Sequence, residues 1–104
     1  MSGAERIAAE RRRQIQVEDY TAEHDADHES GGQMAVAAWC YLGDLVDDGR
    51  DFAEAEEPPE WPWPTYGEGA SWKPTPGDPI LQLVKAGALI AAEIDRLLAL
   101  RGDA

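Results

Sequence analysis

The segment from residue 78 to residue 100, DPILQLVKAGALIAAEIDRLLAL, constrains the fold more than any other part of the chain. Asp78 is a favourable N-cap residue, Pro79 is favoured at the first helical position, and Gly102 is typical of a residue that ends a helix. Apolar residues cover most of the predicted helix, which has one polar stripe, consisting of Gln82, Lys85, Glu93 and Arg96. A helix this apolar lies at the centre of a domain or in an oligomer interface.

Two shorter helices precede it. Residues 4–18 contain no Gly or Pro, and Ser2 with Glu5 has the spacing of a capping box. The apolar face of this helix is thin, so it needs a partner surface. From about residue 32 to residue 48, an apolar stripe recurs at helical spacing, consisting of Met34, Ala38, Tyr41 and Leu45.

No segment has a convincing strand pattern, and no internal repeat is present. We therefore expect an all-α protein of three main helices that forms one domain over residues 1–104. Two thin helices cannot cover the last one well. We accordingly expect a homo-oligomer assembled through the last helix.

Residues 49–79 hold all seven prolines and three of the four tryptophans, which excludes a long helix or a central strand there. The aromatic side chains are too much apolar surface to leave in water, so the segment is predicted to be a long ordered loop around the helices. The alternative is a mobile loop that becomes ordered on binding. The aromatic residues concerned are Trp61, Trp63, Tyr66 and Trp72.

Charge is distributed in blocks. The net charge is −12, and residues 18–68 carry fifteen acidic residues against one basic residue, Arg50. Such a chain repels phosphate backbones, which argues against general nucleic-acid binding. It does not exclude a small anionic ligand held by a local cluster of basic residues, because residues 1–17 carry four arginines.

The acidic stretch YTAEHDADHES, residues 20–30, contains both histidines. On a helix, His24 and His28 would share a face and hold one metal ion with an oxygen ligand such as Asp25. The stretch lacks the glutamate that zinc peptidases place directly after the first histidine. The metal site is therefore a weak hypothesis, beside a pocket-lining role for His24 and a solvated acidic loop.

Basic and aromatic residues from several segments form a second candidate site. Guanidinium groups bind phosphates and tryptophans stack on bases, so together they would line a nucleotide-sized pocket. The alternative is that the arginines form ordinary ion pairs with Glu10, Glu93 and Asp95. The candidate ligand-binding residues are Arg11, Arg12, Arg13, Gln14, His24, Trp63, Trp72, Lys73 and Lys85.

Catalytic patterns are weak. All-helical nucleotide pyrophosphohydrolases hold magnesium with acidic residues on two helices, and the acidic pair of the last helix, Glu93 and Asp95, diverges. The one cysteine, Cys40, lies in an apolar run and is interpreted as a small buried residue. We therefore expect no catalytic residue and no cofactor, with a metal-dependent hydrolase as an alternative.

The lone thiol fits a reducing compartment, and the N-terminus has no signal-peptide pattern. No stretch has the roughly 20 apolar residues that span a membrane. These features predict a cytoplasmic protein without a membrane segment.

Several segments, ERRRQIQVEDYTAEHDADH, WPW, SWKP and LVKAGALIAAEIDRL, resemble a family of small proteins encoded by bacteriophages and prophages. The similarity covers most of the chain, and departs from the family pattern at Asp19 and Ser71. The resemblance implies a location in the host cytoplasm and implies no reaction. Small phage proteins of this size often act on host defence, for example by sequestering a signalling nucleotide.

The leading functional hypothesis is thus a non-enzymatic protein that binds a small anionic, nucleotide-like ligand. An alternative is an inhibitor whose acidic block imitates a phosphate backbone and occupies a host enzyme that binds nucleic acid.

Overall fold

The computed structural model describes residues 1–18, 32–46, 61–63, 72–75 and 77–102. Its described elements are three helices: α1, Gly3–Glu18; α2, Gln33–Val46; and α3, Pro79–Arg101. The described residues contain no strand. For the described residues, the prediction of an all-α fold with three main helices is confirmed. The prediction of a single domain over the whole chain stays a prediction.

The helix ends follow from local side-chain chemistry. Ser2 Oγ accepts a hydrogen bond from the Glu5 backbone N–H, and Glu5 Oε1 accepts one from the Ser2 N–H, both at 3.1 Å. Asp78 Oδ1 accepts from the Leu81 N–H at 3.1 Å, and Pro79 begins α3. Gly102 ends α3 with φ of 82°, a left-handed conformation that glycine adopts without strain. These predicted caps are confirmed.

Helix α3 is the centre of the described fold, since it packs against both α1 and α2. Its contact with α1 is close at Gly87, where an added Cβ would lie 2.6 Å from Cδ1 of Ile7. Glycine is therefore required for this approach of the two helices. On the side of α2, the core contains the predicted apolar stripe residues Met34, Ala38 and Tyr41, and also Cys40, all buried.

Several polar side chains point inward. Arg11 and Gln14 of α1 are buried, and so are Gln82 and Arg96 of α3. Conversely, α3 exposes a row of large apolar side chains to solvent: Leu83, Ile90, Ile94 and Leu97 are each about half exposed. The residues of the predicted polar stripe therefore lie mainly on the side of α3 that packs against the rest of the fold.

Residues 61–63, 72–75 and 77–79 are the described parts of the predicted Trp/Pro-rich loop, and Pro79 already belongs to α3. Trp61 belongs to the core cluster, and Trp63 and Trp72 pack against it. The other residues of that loop lie outside the described residues, so a continuous ordered loop stays a prediction. Within the described parts of the chain, every helix is too short or too polar to span a bilayer.

Candidate ligand-binding site

A buried glutamine fixes one wall of the candidate site. Gln82 is only 1% exposed. Its Nε2 donates to the backbone carbonyl of Tyr41 at 3.3 Å, and its Oε1 accepts from Thr75, from the backbone N–H at 2.9 Å and from Oγ1 at 3.0 Å. A buried amide group fixes the position of its hydrogen-bond partners, because a buried polar atom without a partner lowers the stability of the fold. Gln82 therefore holds residues 72–75 against the junction of α2 and α3.

Aromatic side chains form the second wall. Tyr41 stacks on Trp72, with ring centroids 4.8 Å apart and planes at 22°. Trp61 meets Trp72 edge-on at 4.9 Å, and Trp63 meets Trp61 edge-on at 5.4 Å. The Nε1–H of Trp72 is buried and donates to no acceptor among the residues that the structure describes. One face of Trp72 is thus occupied by Tyr41, while its indole N–H has no acceptor in the described part of the chain.

Lys85 lies beside these aromatic rings. Its Nζ donates to the backbone carbonyl of Lys73 at 2.6 Å and lies 6.0 Å from the centre of the Tyr41 ring. Burial lowers the pKa of Lys85 below the ordinary value of 10.5. The carboxylate of Glu10 opposes this shift, whereas the nearby positive charges of Arg13 and Lys73 add to it. Lys85 is therefore a partly desolvated cation that lies near the Glu10 carboxylate and near two further cations, Arg13 and Lys73.

Helix α1 supplies the facing side. The Arg13 guanidinium donates to Glu10, from Nε to Oε1 at 2.7 Å and from its NH2 group to Oε2 at 2.9 Å. These bonds from Arg13 lower the pKa of the Glu10 carboxyl, and Gln14 lies close enough to lower it as well. The Oε1 atom of Gln14 is buried and accepts no hydrogen bond within the described part of the chain. We call Arg13, Lys73 and Lys85 the cationic cluster.

The structure thus brings five of the nine predicted ligand-binding residues to one region of the fold. They are Arg13, Gln14, Trp72, Lys73 and Lys85. Trp63 adjoins the region through Trp61. Arg12 is exposed on α1. His24 lies outside the described residues, as do the other weak metal candidates, Asp25 and His28.

Arg11 has a different environment. Its Nε and NH2 groups donate to Asp95 Oδ2 at 3.3 Å, and its side chain is buried while that of Asp95 is 44% exposed. Arg96 likewise donates to Glu93 at 2.5 and 3.2 Å. The ion pairs with Glu10, Glu93 and Asp95 that the sequence offered as the alternative are therefore present. The described bonds of Arg11 join α1 to α3, and those of Arg96 stabilise α3 itself.

Sequence reasoning missed Gln82 and Tyr41 as the residues that position the site. The signal available was a glutamine in a helix that is otherwise almost wholly apolar, where a polar side chain survives burial only if it is hydrogen-bonded. Its partners, Thr75 and Tyr41, lie in other segments, and the chain pattern does not reveal them.

No group of three or more His, Cys, Asp or Glu residues suited to a metal ion occurs among the described residues. A separate apolar groove, of about 210 Å³, lies between α2 and α3 and is lined mainly by Trp39, Leu42, Ile90 and Ile94. None of the predicted ligand-binding residues lines it. The groove and the cationic cluster are therefore distinct features.

Comparisons of this chain with protein-family models, with curated protein sequences and with solved structures found no match.

Proposed function

We propose that this chain is a non-enzymatic binding protein for a small anionic, nucleotide-like ligand, and that the cationic cluster with Trp72 is its binding site. The observation that supports this proposal most is the placement of Lys85. In a chain with a net charge of −12, its ammonium group is partly desolvated and lies near two more cations, Arg13 and Lys73, as well as near the Glu10 carboxylate. Acidic side chains are abundant in the chain, yet the neighbouring carboxylates do not outweigh burial at Lys85.

An anion bound here would offset both the partial desolvation of Lys85 and its repulsion from the neighbouring cations. It would accept hydrogen bonds from the Lys85 ammonium and from cationic neighbours, and charge-assisted bonds of this type are among the strong ones. It would also raise the lowered pKa of Lys85 by adding a negative charge beside it. The indole N–H of Trp72 and the Oε1 atom of Gln14, which have no hydrogen-bond partner among the described residues, are further groups that a polar ligand would engage.

The aromatic wall supports the nucleotide-like part of the proposal. Trp63 and Trp72 are partly exposed, and indole faces bind bases with little regard to sequence. Arg11 serves the scaffold in this proposal, because its side chain is buried and bonds Asp95 across α1 and α3. Arg13, by contrast, pairs with Glu10 within α1 and is 46% exposed. Arg12 and His24 remain predicted contributors, Arg12 from an exposed position on α1 and His24 from outside the described residues.

The resemblance to phage and prophage proteins would place this binding in the cytoplasm of an infected host. Sequestering a nucleotide signal of host defence is the role that fits a small binding protein without a catalytic site. We include in this proposal that the chain works as a homo-oligomer, since α3 leaves large apolar side chains in solvent.

Calorimetric titration with ATP, tripolyphosphate and inorganic phosphate tests the proposal. The variants are Lys85→Met and Arg13→Gln, and the matched control is Arg6→Gln, which removes an exposed arginine of α1 outside the cluster. Wild type and the control should bind alike, and each cluster variant should weaken affinity by at least ~10-fold, the equivalent of one charge-assisted hydrogen bond. Equal affinity of the Lys85→Met variant, or no binding of any anion, would contradict the proposal.

The same titration separates the other functions. Tryptophan fluorescence should change with ATP and not with tripolyphosphate if the base stacks on an indole. Conversion of ATP to products, lost in a His24→Ala variant, would instead indicate the hydrolase. Salt-sensitive capture of a nucleic-acid-binding enzyme, unchanged by Lys85→Met, would indicate the acidic mimic.

A further inference from the structure

Helix α3 carries a regular row of apolar side chains that nothing in the described structure covers. Leu83 is 51% exposed, Ile90 45%, Ile94 53% and Leu97 51%. They are separated by seven, four and three residues, which places them on one stripe with the spacing of a coiled-coil seam. We call these four residues the α3 stripe.

The orientation of α3 is fixed by its opposite side. Gln82 and Arg96 are 1% and 7% exposed, and both are hydrogen-bonded to neighbouring residues. Turning the α3 stripe inward would expose or strand these polar groups. The stripe therefore stays at the surface because the polar side of the helix is held in the fold.

The exposed surface is large for a chain of this size. Trp39 of α2 is 58% exposed beside the stripe, and the groove between them has a volume of about 210 Å³. Four half-exposed aliphatic side chains and a tryptophan amount to roughly 500 Å² per chain. Monomers rarely expose contiguous apolar patches above a few hundred Å², and a standard interface buries about 800 Å² per partner. The patch is of the size that forms the core of a dimer interface.

The remaining segments of the sequence contain few large apolar side chains that could cover this patch. Residues 19–31, 47–60 and 64–71 each contain one large apolar or aromatic side chain, namely Tyr20, Phe52 and Tyr66. The α3 stripe itself contains no charged residue, so a charged partner would gain nothing from it. A second copy brings an equal apolar stripe, and a two-fold interface is formed by the same surface on both subunits.

The spacing of the stripe also indicates an orientation. Leu83 precedes Ile90 by seven residues and Leu97 follows it by seven, so these three residues of the stripe are symmetric about Ile90. In an antiparallel pair, Leu83 meets Leu97 of the second copy and Ile90 meets its own counterpart. Asp78 at the start of α3 then approaches Arg101 at the end of the other helix, and the helix dipoles oppose each other favourably.

We propose that two copies of this chain associate through the α3 stripe and Trp39 as an antiparallel pair, with the two-fold axis at Ile90. This inference rests on the proposed self-association and is independent of the anionic ligand, since no residue of the cationic cluster lies on the stripe.

Sedimentation velocity of the purified full chain at micromolar concentrations tests the surface. Leu83→Lys and Leu81→Lys form a matched pair, because both side chains are exposed on α3 but lie about 200° apart around the helix. Wild type and Leu81→Lys should sediment as dimers. Leu83→Lys should keep its helical circular dichroism and dissociate at least ~100-fold more readily, since each substitution occurs twice in a two-fold interface. A monomeric wild type, or a folded Leu83→Lys variant that remains equally dimeric, would overturn the proposal.

Disulfide cross-linking tests the orientation in a Cys40→Ala background. Ile90→Cys should cross-link to itself under mild oxidation. Leu83→Cys should not, because the two copies of residue 83 would lie about 21 Å apart along an antiparallel pair, far beyond the ~7 Å that a disulfide spans between Cα atoms. The double variant Leu83→Cys, Leu97→Cys should cross-link. Efficient cross-linking of Leu83→Cys alone would overturn the antiparallel arrangement while leaving self-association standing.

Discussion

Replacing Gln82 with leucine is the most informative test of how the fold positions its candidate site. Gln82 connects three segments, since it bonds the Tyr41 carbonyl of α2 and both polar groups of Thr75 from its place on α3. Leucine fills most of the same volume but offers no acceptor to Thr75 and no donor to Tyr41. The substitution therefore removes the polar contacts while leaving most of the apolar packing in place.

The expected loss is about 3 kcal/mol of unfolding free energy. A partly buried donor left without an acceptor costs roughly 1–3 kcal/mol; the Thr75 N–H loses its acceptor, and Thr75 Oγ1 keeps only its long bond, 3.5 Å, to the Asp78 carbonyl. A domain of this size has a total stability of about 5–15 kcal/mol, so the loss is a large share of it. With an m value of about 1.5 kcal/mol per molar urea, the midpoint of unfolding should fall by about 2 M.

Urea unfolding followed by tryptophan fluorescence measures this directly, because Trp61 and Trp72 pack against Tyr41 next to the network. The matched variant Thr75→Val keeps the backbone N–H and removes only Oγ1. In the double variant, Gln82→Leu with Thr75→Val, the second change should add almost nothing. A midpoint shift below about 0.5 M for Gln82→Leu, or fully additive effects in the cycle, would refute this account of the network.

Four further predictions follow from the described contacts. The Lys85 ammonium, followed by NMR of its side chain, should titrate below 10.5, and Arg13→Gln should raise that pKa because it removes a nearby positive charge. Burial disfavours the charged form of Lys85, so its protonated side chain destabilises the fold. The free energy of unfolding should therefore rise with pH between the lowered pKa of Lys85 and 10.5. The Lys85→Met variant should not show this rise. Gly87→Ala should destabilise the fold through its contact with Ile7, and Ile7→Ala should relieve that effect in a double-mutant cycle. Asp78→Ala should lower the unfolding free energy by about 1 kcal/mol in thermal unfolding, whereas Asp78→Asn should keep most of the wild-type stability because the amide oxygen can accept the same hydrogen bond.

The features predictable from the sequence are those decided by residues close together in the chain. The capping box of Ser2 and Glu5 and the cap that Asp78 gives to Leu81 each span three residues, and side-chain chemistry decides them locally. The buried stripe of α2 is likewise readable from its helical spacing. The positions of the three helices were therefore predictable to within one or two residues at each end that the structure describes.

Other features depend on residues far apart in the chain, and the sequence pattern could not decide them. Arg11 bonds Asp95, 84 residues away, whereas the neighbouring Arg13 bonds Glu10 within its own helix. Both outcomes are compatible with a run of three arginines. Helix α3 presents a similar case, because a helix that is apolar almost all round does not reveal which side faces the fold. Hydrogen bonding of its few polar residues decides that, and leaves the α3 stripe outside.

For the candidate site, residue types were the usable signal and positions were not. Basic and tryptophan residues in an otherwise acidic chain indicated an anion site, and the fold brings Arg13, Lys73 and Lys85 to one region. Which basic residues would be neutralised by carboxylates depended on the packing of α1 on α3. The role of His24 stays a prediction.

Native mass spectrometry of the wild-type protein, purified gently from its host and then denatured, tests the central claim most directly. The account predicts a dimer that carries an anion of nucleotide size, released on denaturation and absent from the Lys85→Met variant. A protein that carries no such mass, or one that carries it equally in the Lys85→Met variant, would contradict it.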